Sequence, residues 1–362
     1  MDKKLVNEIF WLRSISCLAI VLIHAIEASI DFQTKQLGST SFSLENLHLI
    51  LLFATPTYVF ISEFLLAKAY RDGVPPGFLI KRMRSLLIPY CFMGIVYAVF
   101  DMTEGFTWSA VIVETVKNIV MGDFVAWFIL LIFQFYILHM ILSRVLNRIP
   151  PLRALIFSFV VNVLYLAFFN LTQPIAIIPF HDYIWARGYW IPCLGWLFYF
   201  TVGYYAGRNY EYVIQWIRRH KLWIFGSTLL MMALVFLFND HIFTKTTSKR
   251  PDMLLYTCCV IGLIFYVSNK VQQIPQWVYH ISSYSFSIYL LHKLFMGWIP
   301  YISEMGFIGY TIILFVSSLT GSIIMAYLFN RIPFGRYLVG GIQHVKPKET
   351  NLPAQSKTAI ET

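Results

Sequence analysis

Ile9-Phe-Trp-Leu-Arg13-Ser-Ile-Ser-Cys17-Leu-Ala-Ile-Val-Leu-Ile-His24-Ala-Ile-Glu27-Ala-Ser-Ile-Asp31 is apolar along most of its length, yet it carries Arg13, His24, Glu27 and Asp31. The length suits a transmembrane helix, which needs roughly 20 mostly apolar residues. At about 100° per residue, His24 falls roughly 20° from Arg13, and Glu27 and Asp31 lie within about 40° of it. All four therefore share one helix face, with Arg13 and His24 about 16 Å apart along the axis. Glu27 is one turn beyond His24, near enough to orient or charge its ring. On polarity alone, Arg13 could instead snorkel to headgroups and His24 could bond a neighbouring helix. Arg13 also interrupts the apolar run, and no small-x-small cleavage pattern follows, so the stretch is expected to remain as a span.

The rest of the chain repeats this character. Its 362 residues are 58% hydrophobic and only 13% charged, far from the balance of a soluble domain. About ten candidate spans are centred near Leu18, Phe53, Met93, Phe133, Val160, Leu197, Leu230, Gly262, Leu290 and Phe315. The expected fold class is all-α, a polytopic transmembrane bundle in the lipid bilayer. With ten spans, 20 of the 28 Lys and Arg fall in one set of loops and tails, and six in the other (Lys35, Lys117, Arg187, Lys245, Lys249 and Arg250). That asymmetry predicts a multi-pass protein with both termini in the cytoplasm. The net charge of +10 is thus an orientation signal, and nucleic acid is not an expected partner. Residues 1–342 are expected to form one membrane-embedded unit and 343–362 a polar, disordered cytoplasmic tail. No connection has room for a separate folded domain, so the chemistry should lie within the bundle.

An ionisable group at mid-span costs at least about 2.5 kcal/mol on insertion scales, so each needs a partner or a purpose. Glu63 lies in the second span with no sequence neighbour to neutralise it, and His292 with Lys293 lies in the ninth. Lys81, Arg82 and Arg84 precede the third span, where they read either as a positive-inside anchor or as a grip on a diphosphate. Tyr189, Trp190 and Trp196 read as interfacial belt residues, and His139 as an ordinary histidine near a span end. The cysteines Cys17, Cys91, Cys193, Cys258 and Cys259 have no metal-ligand or redox spacing, and no metal site is expected. No zincin, nucleophile-elbow, Walker or dinucleotide-binding motif is present.

Arg13-x10-His24, Trp127-Phe128 followed by Phe133 and Tyr136, Phe200-Thr-Val-Gly203-Tyr-Tyr-Ala-Gly207, and Ser283-Tyr-Ser-Phe-Ser-Ile-Tyr289-Leu-Leu-His292 occur in that order. Together they resemble the acyltransferase-3 family of multi-span bacterial membrane acyltransferases, over about residues 5 to 330. Two departures stand out. The family's Ser-Gly-Phe-Leu-Leu is here Ser62-Glu63-Phe64-Leu65-Leu66, and its Arg-x-x-Arg is here Lys81-x-x-Arg84, or is shifted to Arg82 and Arg84. With Ile88-Pro89-Tyr90 and Arg208-Asn-Tyr-Glu-Tyr212, they draw the chain toward the branch of the intercellular-adhesin polysaccharide membrane protein. That branch has been described both as an exporter and as a polymer acyltransferase.

The resemblance implies transfer of an acyl group, acetyl or succinyl, from acyl-CoA as cosubstrate to a hydroxyl of a cell-envelope carbohydrate, with no bound cofactor. A thioester is already activated, so the enzyme must deprotonate the acceptor and stabilise an oxyanion. His24 is the expected base, Glu27 its carboxylate partner and Arg13 the third catalytic residue. Lys81, Arg82, Arg84, Glu63 and His292 are the expected substrate-binding residues. Export of a surface polysaccharide or lipid-linked sugar is the alternative, and a silent partner of a polysaccharide synthase is a third reading.

Overall fold

The computed structural model describes residues 7–37, 42–102, 106–243, 245–271, 273–301 and 305–343. The polar tail expected at 343–362 lies outside these residues, apart from Gln343. Among the described residues every regular element is helical: α1 (Asn7–Leu37), α2 (Phe42–Leu51), α3 (Ala54–Ala69), α4 (Phe78–Arg82), α5 (Ile88–Phe100), α6 (Trp108–Val116), α7 (Phe128–Leu146), α8 (Pro151–Leu171), α9 (His181–Ala186), α10 (Leu197–Arg208), α11 (Tyr210–Arg219), α12 (Lys221–His241), α13 (Met253–Ser268), α14 (Gln276–Gly297), α15 (Gly306–Asn330) and α16 (Arg336–Val339).

Among the described residues, seven helical stretches are long and apolar enough to cross a membrane, fewer than the ten expected from hydropathy. The differences have local causes. The sixth expected span is reduced to α10, with 12 residues, because its first part winds as a 3-10 turn over Cys193–Trp196. The eighth is α13, apolar but only 16 residues long. The ninth, α14, has 22 residues but is loaded with serine, histidine and Lys293. Its polar side chains are mostly buried against other helices, which removes the need for an apolar surface.

Two irregularities shape the interior. Pro89 has no amide hydrogen to give to Ser85, and the helix between α4 and α5 relaxes into a π turn over Met83–Leu87. The apolar run 108–146 is not one helix. It breaks at Gly122, which adopts φ 67°, and Phe124 is extended before a 3-10 turn at Val125–Trp127 leads into α7. The broken end lies beside α5. Tyr90 Oη donates to the carbonyls of Asn118 and Ile119 (2.7 and 3.0 Å), and Asn118 Nδ2 donates to the Gly94 carbonyl (3.0 Å).

The closest helix contact joins α3 and α10. Gly207 and Gly203 let the backbones approach so far that a Cβ at Gly207 would lie 2.3 Å from the Phe64 carbonyl oxygen. Small residues four apart permit this approach in apolar surroundings, where close packing drives association. The glycines are on α10, and Glu63 of α3 lies against one of them.

Candidate functional site

α1, α3, α5, α7 and α14 surround a cavity of about 1780 Å³ that runs along the polar face of α1. Arg13, His24 and Glu27 all line it, as the shared helix face requires. Asp31 does not line it and is exposed.

The two ends of the cavity differ in charge. At the end where α1 begins, Arg13, Lys68, Arg71, Lys81 and Arg82 line the wall without an acidic lining residue among them. Arg13 Nη1 donates to Gln343 Oε1 at 2.7 Å, and Tyr58 Oη donates to the Arg13 carbonyl at 3.1 Å. Arg82 rests over the rings of Phe78 and Tyr136, 5.2 and 5.4 Å from their centroids. Arg71 and Arg208 each donate to the other's carbonyl, at 3.0 and 2.8 Å, which holds two guanidinium groups together at the rim. Arg84 is exposed and does not line the cavity, since a residue two beyond Arg82 points to nearly the opposite side of the helix.

At the other end lies the His24 pair. His24 Nδ1 is 2.6 Å from Glu27 Oε2, and His48 Nε2 of α2 is 3.6 Å from Glu27 Oε1. An Nδ1–H donated to the carboxylate leaves Nε2 as the basic nitrogen of the ring. The opposite face of His24 stacks on His292, with ring centroids 5.2 Å apart. His292 is fully buried and its Nδ1 bonds the Ile288 carbonyl at 2.9 Å, so it supports His24 from behind and does not line the cavity. Arg13 is separated from His24 by the axial rise of three helical turns, and the structure groups it with the other cations rather than with the histidine.

Glu63 also departs from its expected place. It is fully buried, turned away from the cavity, and paired with His139 Nδ1 of α7 at 2.6 Å. That histidine, read from sequence as ordinary, is the hydrogen-bond partner of buried Glu63.

Several lining residues come from segments that the sequence assigned to outer loops. Arg187 donates to the carbonyls of Gly122 and Phe124 (2.8 and 3.0 Å) and pairs with Asp123 (3.1 Å), so it closes the free end of the broken helix. Tyr189 and Trp196 are buried, and Tyr189 and Trp190 line the cavity instead of forming an interfacial belt. Lys249 places its ammonium 3.8 Å from the Trp190 ring centroid and 5.3 Å from that of Trp127, a two-indole cation site. Asn170 Nδ2 fixes its backbone by donating to the Lys249 carbonyl at 2.7 Å.

Burial pulls the Lys249 ammonium down to about 8 and Arg187 adds to this, while Glu27 opposes it by favouring the charge. Half of Lys249 should therefore be neutral near pH 8, against about 0.4% of an ordinary lysine. An amine-reactive ester is expected to label Lys249 with a midpoint near pH 8, read by peptide mass spectrometry. A midpoint near 10 would contradict this environment. Among the described residues, no group of three or more His, Cys, Asp or Glu is placed to hold a metal ion.

The chain was compared with known proteins. The family model described as an acyltransferase domain matches residues 6–327. A Bacillus subtilis (strain 168) protein named "Putative membrane-bound acyltransferase YfiQ" is 34% identical, the match covering 96% of this chain and 98% of that one. Proteins named "Probable poly-beta-1,6-N-acetyl-D-glucosamine export protein" are 27% identical, from Staphylococcus aureus (strain MSSA476), covering 81% of this chain and 83% of the relative, and from Staphylococcus epidermidis, covering 81% and 82%. No solved structure matches the chain. The domain match spans nearly all of the helical bundle that encloses the His24 cavity, and the chain belongs to the acyltransferase-3 family of membrane acyltransferases.

Proposed function

We propose that the protein moves an acyl group from a cytosolic acyl-CoA to a hydroxyl of a cell-envelope carbohydrate across this cavity. The observation that carries the proposal is one cavity with cations and no carboxylate at the end where α1 begins, and the His24–Glu27 pair, with Arg187, Lys249 and Lys293 also in the lining, toward the other. A coenzyme A diphosphate suits Arg13, Lys81 and Arg82, since charge-assisted bonds to phosphate strengthen away from water. Gln343 would yield its place on Arg13 to a phosphate oxygen. The pantetheine arm has about the length of four extended residues, roughly 14 Å. That length is close to the rise of about 16 Å between Arg13 and His24, so the thioester would arrive beside the imidazole.

In the reaction, His24 Nε2 takes the proton of the acceptor hydroxyl and the oxygen bonds the thioester carbonyl carbon. The carbon–sulfur bond then breaks and the proton passes to the departing sulfur. Glu27 holds the Nδ1 proton and stabilises the imidazolium formed in between. The carbohydrate would approach past Trp127 and Trp190 at the other end. In this reading the termini and the cationic end face the cytoplasm, as the loop charges indicate.

The donor site has a direct test. Arg82→Ala with Lys81→Ala is expected to weaken binding of acetyl-CoA to the purified protein at least about 100-fold, since two charged hydrogen bonds of about 1.5–3 kcal/mol each are lost. Equilibrium dialysis with labelled acetyl-CoA measures this. Unchanged binding would remove the cationic end from the donor site.

Export is the second reading. The names of the staphylococcal relatives and the width of the cavity favour it. An exporter has no need of a histidine held by a carboxylate, and mutation of that pair separates the two. A stable complex with a polysaccharide synthase would support a further, partner role.

A further inference from the structure

We propose that His48 is a positioning residue for acyl transfer: it holds the second oxygen of Glu27, so that the first stays on His24 Nδ1. The inference rests on the reading of His24 as the base. The two histidines approach Glu27 from different helices and meet different oxygens. His24 Nδ1 lies 2.6 Å from Oε2, and His48 Nε2 lies 3.6 Å from Oε1.

Glu27 is 42% exposed to the cavity, so its single bond to His24 leaves the carboxylate free to swing. His48 is 7% exposed, lies outside the cavity lining and belongs to α2. Its Nε2 is buried and has no hydrogen-bond partner. An unpaired buried nitrogen costs free energy, and Glu27 is the acceptor in front of it. The gap is a few tenths of an ångström beyond hydrogen-bond range, and such contacts commonly tighten when substrate arrives. The other charged groups acting on His48 are His24 from α1, Glu45 from α2 and Lys249 from the connection before α13. His48 reaches the reaction only through Glu27.

The sequence carried a signal for this residue. Leu47-His48-Leu49-Ile50 places an ionisable group within an apolar run, where one needs a partner.

The test is a double-mutant cycle on the full-length protein in lipid, with acetyl-CoA as donor and release of free coenzyme A thiol as readout. His48→Phe is expected to lower kcat about tenfold and to leave the KM for acetyl-CoA unchanged. His48→Gln, whose amide nitrogen replaces Nε2, should restore most of the rate. In a Glu27→Gln background His48→Phe should have no further effect, because the group it positions is gone. A merely structural histidine would give equal losses in both backgrounds and no rescue by glutamine, and either result overturns the proposal.

A second readout is independent of turnover. Modification of His24 by diethyl pyrocarbonate, followed by peptide mass spectrometry, should slow several-fold in His48→Phe but not when Glu27 is already Gln. An unchanged rate overturns the positioning role even if the protein proves not to be a transferase. Conversely, loss of turnover in His24→Ala together with an unaltered His48→Phe would uphold the base and reject its second support.

Discussion

His24→Ala is expected to lower the rate of acyl transfer about 10²- to 10⁴-fold, the range for losing a general base. Among the described residues, the imidazole is the one histidine that lines the cavity, and it holds a carboxylate on its far nitrogen. Donor binding should survive, because the cations at the other end lie about three helical turns away. The expected pattern is therefore a fallen kcat with a nearly constant KM for acyl-CoA, which marks an interaction made in the transition state. Thiol release from purified protein measures it, with binding of acetyl-CoA confirming the fold. Equal turnover in the variant would return His24 to ordinary helix packing.

The largest effect on stability is expected from Gly207→Val. A Cβ there would meet the Phe64 carbonyl oxygen at 2.3 Å and its carbonyl carbon at 3.1 Å, and these are backbone atoms that cannot rotate away. The two helices would have to separate along their whole contact, including the approach at Gly203, 2.7 Å from the Phe60 carbonyl oxygen on the same measure. Overpacking into flexible side chains costs about 1–3 kcal/mol, and backbone overlap should exceed that. The variant should aggregate on extraction or lose at least about 5 °C in a size-exclusion melting assay. An alanine at Gly226, where nothing lies within 4 Å, is the matched control. Equal behaviour of the two variants would show that the α3–α10 contact is looser than described.

What could be read from the sequence depended on whether local periodicity carried the information. Arg13, His24 and Glu27 share a helix face, and angular arithmetic alone placed them on one wall. Gly203 and Gly207 stood out only within a stretch resembling the family, and their close approach to α3 is visible in the fold alone. Glu63 announced only that it needed a neutralising group. His139 lies 76 residues away, and no local rule connects the two.

The missed residues share a cause. Arg187 and Lys249 were assigned to outer loops and Trp190 to an interfacial belt, and the chain folds these residues back onto the bundle. Lys117 was assigned to an outer loop, yet the apolar helix beginning at Trp108 includes it and breaks only at Gly122. Arg84 was grouped with Lys81 and Arg82 by nearness in sequence alone, whereas residues two apart point to nearly opposite sides of a helix.

The most direct test of the whole account uses the protein reconstituted in sealed vesicles. Labelled acetyl-CoA is supplied on the face bearing Lys81 and Arg82, and a cell-envelope oligosaccharide is held on the other. The account predicts that label joins the oligosaccharide, with free thiol appearing on the donor side, and that His24→Ala abolishes both. Passage of unacylated oligosaccharide across the membrane, with the thioester left intact, would contradict it and identify the cavity as a conduit.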